Sequence, residues 1–84
     1  MAYQVTIRKR ALKVLENISE PDFSNIKSAI YSLADNPRPH GYKKLKGRDG
    51  YRIRKGNYRI IYEIFDAHLL VDVIAIGHRR DIYE

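Results

Sequence analysis

The sequence predicts an α+β fold of order β-α-α-β-β-β, a helical hairpin packed on one face of a mostly antiparallel sheet. Three observations predict it. An apolar/polar alternation opens the chain, two consecutive segments carry helical spacing, and three runs rich in Ile, Val and Tyr close it. A chain of 84 residues with 44% hydrophobic content supports one small core, so a single domain over 1–84 is expected.

The first element is read from "YQVTIRK", where Val5 and Ile7 alternate with polar residues and predict a strand over about residues 3–8. In "RKRALKVLENIS", Ala11, Val14, Leu15 and Ile18 fall at i, i+3, i+4 and i+7, the stripe of a short amphipathic helix facing a core. Ser19, followed by Glu20, Pro21 and Asp22, reads as the N-cap of a second helix with acids at its positive end. Phe23, Ile26, Ile30 and Leu33 continue that helix until "DNPRPHG" ends it. After the basic connection "YKKLKGRDG", strands are predicted at 51–55, 58–65 and 69–77 as an antiparallel meander.

Charge is the second signal. Sixteen Lys and Arg against ten Asp and Glu give a net charge of +6, and eight of the sixteen lie between Lys43 and Arg59, where the only acid is Asp49. Such a field attracts nucleic acid or another polyanion. The chain has no cysteine and only three scattered histidines, so no metal or other cofactor is expected. The N-terminal residues lack an apolar stretch of signal-peptide length, and the apolar run near the C-terminus is interrupted by Asp72; a cytoplasmic protein without membrane attachment is expected.

The hairpin decides where the charges point. Gly56-Asn57 is a two-residue turn signal with Gly where a type II′ turn requires it. The register then sets Arg54 opposite Arg59, Arg52 opposite Ile61 and Tyr51 opposite Tyr62, and directly opposed residues share a face. Arg52, Arg54 and Arg59 therefore stand together, while Tyr51, Ile53, Ile60 and Tyr62 face the helices. Opposed arginines repel, so something negative is expected between them. Glu63 shares their face but is too far along the strand from Arg59 to serve easily, and a structural role is expected for it.

A loop at Asp66-Ala67-His68 would set Phe65 opposite Leu69. Odd-numbered residues of the last strand, and Arg79 beyond it, would then join the arginine face. Ile61, Phe65, Val71 and Val73 would form an apolar region beside the basic row, suited to a protein partner. The same parity sends His78 toward the helices, where a structural role is expected.

"YRIRKGNYRIIYEI" followed by "VDVIAIGHRRDIY" resembles the RelE/ParE superfamily of bacterial toxins, and the order of elements matches along the whole chain. The resemblance implies a toxin of a type II toxin–antitoxin system that pairs with an antitoxin. In the RelE branch it further implies a ribosome-dependent endoribonuclease, or mRNA interferase, that cuts mRNA in the A site and so inhibits translation. It assigns the catalytic set to Arg52, Arg54, Arg59, Arg79 and Tyr83, and the other cations Lys43, Lys44, Lys46, Arg48, Lys55 and Arg80 are the expected RNA contacts. Where the family's basic pair is often lysine, this chain has Arg52 and Arg54, and it ends at Glu84 before the terminal helix that some members carry.

RNA cleavage without a metal needs in-line attack by the 2′-hydroxyl, a proton acceptor, charge stabilisation on phosphorus and a proton for the leaving 5′-oxygen. Planar guanidinium groups grip two phosphate oxygens and stay charged, which suits Arg52, Arg59 and Arg79 as clamps. Arg54 is a poor general base for the same reason, and it orients and stabilises instead. Tyr83, a phenol of ordinary pKa about 10 beside cations that lower it, is a candidate base or a positioner of the 2′-hydroxyl. Two rival readings differ in what they need. A ParE-type gyrase poison requires no RNA-cleaving set, and a non-catalytic nucleic-acid-binding module requires only phosphate-neutralising charge with steep salt dependence.

Overall fold

The structure is a computed structural model that describes residues 2–78. Alternation at the N-terminus gives strand β1 (Gln4–Ile7), and the helical stripes give α1 (Lys9–Glu16) and α2 (Asp22–Ser32). Four further strands follow: β2 (Lys43–Lys44), β3 (Tyr51–Lys55), β4 (Tyr58–Phe65) and β5 (Leu70–His78), with a 3₁₀ turn at Asp66–His68 between the last two. They form one sheet in the order β1-β5-β4-β3-β2. β1 joins β5 in parallel and the other pairs are antiparallel. The short β2, read from sequence only as a basic connection, is an edge strand.

Both helices lie on one face. Ala11 and Leu15 of α1, with Ile26 and Ile30 of α2, bury themselves against Ile53, Ile60, Tyr62, Val71, Val73 and Ile76 of the sheet. At about 25 cal/mol per Å² of apolar surface removed from water, this layer is the main source of stability. Val14 departs from the expected stripe and is 38% exposed. α1 has only eight residues, so its apolar seam is one turn wide and Val14 stands at its rim.

Ser19 is not the cap of α2. The helix starts at Asp22 with Pro21 in the capping position, and the Glu20 carboxylate accepts hydrogen bonds from the Ser24 backbone N–H at 3.1 Å and the Ser24 hydroxyl at 2.8 Å. Glu20 thus satisfies a first-turn donor that a serine cap would have served. Tyr62 is fully buried, and its hydroxyl donates to the Pro37 carbonyl at 2.7 Å, tying the segment after α2 to the centre of the sheet.

The β3–β4 register is the predicted one, from Tyr51 opposite Tyr62 to Lys55 opposite Tyr58. Gly56 has φ +59°, the left-handed backbone that the first central position of the turn demands. The β4–β5 register differs. Leu69 extends the connection in a left-handed conformation, φ 50°, so Phe65 opposes Leu70 rather than Leu69. That one-residue slip turns Val71 and Val73 toward the helices, where both are fully buried. The expected apolar region beside the arginines therefore does not form: Ile61 is also buried, at 2% exposure, and of its four members only Phe65 is exposed. A bulge then reverses the slip. Tyr62 opposes Val73 while Ile61 opposes Ala75, leaving Ile74 as the extra residue. Ala75 and Gly77 consequently return to the arginine face, as the sequence parity had it.

Candidate nucleic-acid interface

The face of the sheet away from the helices carries the basic row. Arg54 opposes Arg59 in register, and Lys43 of β2 opposes Arg52, which in turn opposes Ile61. The hairpin turn produces this arrangement locally, because it pins the pairing and strand alternation does the rest. On β5 the row continues into Ala75, opposite Ile61, and Gly77, opposite Arg59. The cations differ in depth. Arg52 is 4% exposed, Arg59 is half-buried, and the Nε atoms of both are buried, whereas Arg54 is exposed. Arg52 therefore lies deepest in the row, and Arg54 and Lys43 carry the more accessible charge.

The other expected RNA contacts divide between the two faces. Lys44 opposes Tyr51 and sets its ammonium 5.6 Å from that ring, on the helix side. Lys55, opposite Tyr58, has the same parity and is exposed. Lys46 and Arg48 are exposed in the turn between β2 and β3. Arg79, Arg80 and Tyr83 lie outside the described residues.

Beyond the basic row the same face turns acidic, and sequence reasoning missed how that charge is held. Glu63 and Asp72 oppose each other across β4 and β5. Arg8, just past β1, binds both: its Nε donates to Asp72 Oδ2 at 3.0 Å, and one terminal nitrogen is 3.8 Å from Glu63 Oε1. The Thr6 hydroxyl donates to Asp72 Oδ1 at 3.2 Å. Glu63 thus has the structural role expected of it. No local signal points to Arg8, since its position depends on β1 pairing with a strand more than sixty residues away.

A second polar cluster lies at the far side. Arg38 makes a bidentate pair with Asp66 at 2.9 and 3.2 Å, and the Tyr3 hydroxyl donates to Asp66 Oδ1 at 2.5 Å. The hydrogen bonds from Arg38, then from Tyr3, pull the Asp66 carboxyl down to about 2. The same contact with Asp66 raises the phenol of Tyr3, and burial raises that of Tyr62. His78 faces the helix side as its parity required, with its ring edge-on to Tyr58 at 5.5 Å, and the two line a cleft of about 650 Å³ with Arg10, Val14, Asn17 and Ile18. Among the described residues no group of three His, Asp or Glu side chains stands close enough to hold a metal ion, and no helix is long and apolar enough to cross a membrane.

The family described as "ParE toxin of type II toxin-antitoxin system, parDE" matches residues 5–83, nearly the whole chain. The chain belongs to the RelE/ParE toxin family. Its likeness to RelE members is spread over the full length. It is 32% identical to the mRNA interferase toxin RelE of Escherichia coli strain K12 over 83 residues, covering 95% of this chain and 86% of that protein. The toxin in the archaeal RelE–RelB complex of Pyrococcus horikoshii OT3 superposes with a TM-score of 0.84 at 26% identity, covering 98% of this chain and 100% of the other. The intact Escherichia coli RelBE toxin–antitoxin complex gives 0.78 at 30% identity, with 92% and 96% covered. The helical layer on a five-stranded sheet, and the parallel β1–β5 pair within it, is thus the family's fold.

Proposed function

We propose that this chain is the toxin of a type II toxin–antitoxin pair and acts in the cytoplasm as a ribosome-dependent endoribonuclease on mRNA. The observation that carries this reading is the opposition of Arg54 and Arg59, continued by Arg52 and Lys43 on one face of the sheet. A strand of RNA laid across that face brings its phosphates to guanidinium groups that are already in place, so little ordering is left to do at the moment of reaction.

In the proposed reaction the 2′-oxygen attacks the adjacent phosphorus and the 5′-oxygen leaves, giving a 2′,3′-cyclic phosphate and a 5′-hydroxyl end. Arg59 and Arg54, joined by Arg79, neutralise the extra negative charge on the phosphorane. Arg52 supports them from beneath. Tyr83, as its phenolate, positions the 2′-hydroxyl and takes its proton, and water supplies a proton to the departing 5′-oxygen. Arginines hold protons too firmly to act as the acid or base, so the intrinsic proton-transfer machinery is sparse. The ribosome supplies alignment of the substrate that so small a site lacks. RelB-type partners in the complexes of the relatives point to a cognate antitoxin here, whose acidic groups would meet the basic row.

The family description favours a second reading, a ParE-type inhibitor of DNA gyrase. Primer extension on mRNA from a translating extract separates the two. The nuclease reading expects new 5′ ends with the wild type, lost with Arg59→Ala and reduced at least 10-fold with Tyr83→Phe; removal of one donor to a developing oxyanion costs about 10²–10³ in rate. Inhibition of supercoiling with no cut RNA supports the gyrase reading instead.

A further inference from the structure

At the β2 edge three tyrosine rings run in sequence from core to solvent. Tyr62 is fully buried, Tyr51 is half-buried and Tyr42 is 37% exposed. The ring centres of Tyr62 and Tyr51 are 6.0 Å apart with planes at 33°, and those of Tyr51 and Tyr42 are 5.8 Å apart at 45°. Arg38, in its bidentate pair with Asp66, lies 5.8 Å from the centre of Tyr51. The middle ring is therefore fixed from several sides, and it gives Tyr42 a rigid backing.

β2 supplies the charge. Lys43 and Lys44 are neighbours in an extended strand, so they point to opposite faces. Lys43 stands beside Arg52 on the arginine face, and Lys44 stands beside Tyr51 on the tyrosine side. A polynucleotide bent over this edge would meet the basic row on one side and an exposed ring with an adjacent ammonium on the other. An extended peptide fits the edge poorly, because a strand of two residues offers too few backbone groups for strand addition. A carboxylate would use the lysine and leave the ring idle, whereas a nucleotide uses both.

We propose that Tyr42, backed by Tyr51 and flanked by Lys44, is a stacking platform for one unpaired base of the mRNA strand that flanks the scissile bond. Its phosphate lies on Lys44, and the chain passes over Lys43 to Arg54 and Arg59. The choice of RNA as the ligand rests on the nuclease reading above. The site itself lies on the other side of the sheet edge from the arginines and tests separately.

The protein contains no tryptophan, so Tyr42→Trp introduces a single indole reporter. Its emission is expected to be quenched by a short unstructured RNA oligonucleotide and to be unchanged by a fully paired RNA duplex of the same length. Tyr42→Ala should weaken binding of the single strand about 5- to 100-fold. Tyr42→Phe should bind as the wild type does, and circular dichroism should show both variants folded. Lys44→Ala should reduce the slope of log affinity against log salt by about 0.7. An indole that stays unquenched in the RNA complex overturns the proposal, as does quenching by an acidic peptide and not by RNA. Quenching by ribosomes free of mRNA overturns the assignment to mRNA. If the wild type cuts no RNA but the indole is quenched by the oligonucleotide, the nuclease reading falls and the stacking site stands.

Discussion

Arg8 Nε sits 3.0 Å from Asp72 Oδ2 and so closes a cross-strand pair of acids, Asp72 and Glu63, that would otherwise face the same solvent as the arginine row. Two carboxylates directly opposed on a sheet are destabilising, and they would also repel a phosphate chain laid on that face. Arg8 removes both costs. In a double-mutant cycle, Arg8→Ala and Asp72→Asn should show a coupling of about 0.5–1 kcal/mol, because Arg8 is half-exposed and its pair is screened. Arg8→Ala should also weaken RNA binding. The discriminating measurement is rescue: adding Glu63→Gln and Asp72→Asn should restore RNA affinity if Arg8 acts by masking the acids, and should not if Arg8 itself holds RNA.

The hairpin turn is the second point of leverage. Gly56 has φ +59° with nothing within 4 Å of where a Cβ would stand, so an alanine there meets no clash and costs only backbone energy. Gly56→Ala should lower stability by about 1–2 kcal/mol in denaturant unfolding. The folded variant keeps Arg54 opposite Arg59, so its loss of RNA cleavage should match its unfolded fraction. A larger loss would show that the turn enters the reaction beyond its effect on stability.

Tyr62 offers a test of the core that leaves the surface untouched. Its hydroxyl is buried and donates to the Pro37 carbonyl at 2.7 Å, so Tyr62→Phe keeps the ring and strands a buried acceptor. A loss of about 1–3 kcal/mol is expected. In a domain of this size each kcal/mol lowers Tm by about 4–8 °C, within easy reach of a thermal melt.

Asp66 sets the acid limb of stability. Arg38 first, and Tyr3 second, hold its carboxyl at about 2 in the folded protein, below the roughly 3.9 of an unfolded chain. Between these values the unfolded state binds more protons, so stability rises with pH. The contribution is present above about pH 4 and is lost as pH falls through about 2. Asp66→Asn should flatten that part of the profile in melts taken between pH 2 and 5, and a profile as steep as that of the wild type would show that other carboxylates carry the acid sensitivity.

Much of the architecture was legible because it is written in local patterns. The strand boundaries at 51–55 and 58–65 follow from β-branched runs and from Gly56-Asn57, and the turn alone sets Arg54 against Arg59. The β4–β5 pairing shows the opposite case. Both faces of β5 are apolar apart from Asp72, so periodicity gives no preferred register there. The left-handed Leu69 moves the pairing by one residue, and the bulge at Ile74 moves it back. A reading blind to both misplaces Val71 and Val73 and still places Ala75 and Gly77 correctly.

Local sequence patterns fix the order of elements, the concentration of positive charge between Lys43 and Arg59, and the side of the sheet on which three arginines stand. Each follows from side-chain alternation or from one turn, which involve neighbours in the chain. Three relations arise from folding alone: Arg8 pairs with Glu63 and Asp72, Arg52 is buried to 4% exposure, and three tyrosines line up at the β2 edge. Those relations depend on strands β1 and β2 taking the two outer places of the sheet. Such long-range pairings are selected by burial of the whole core and leave no periodic trace in the residues that make them.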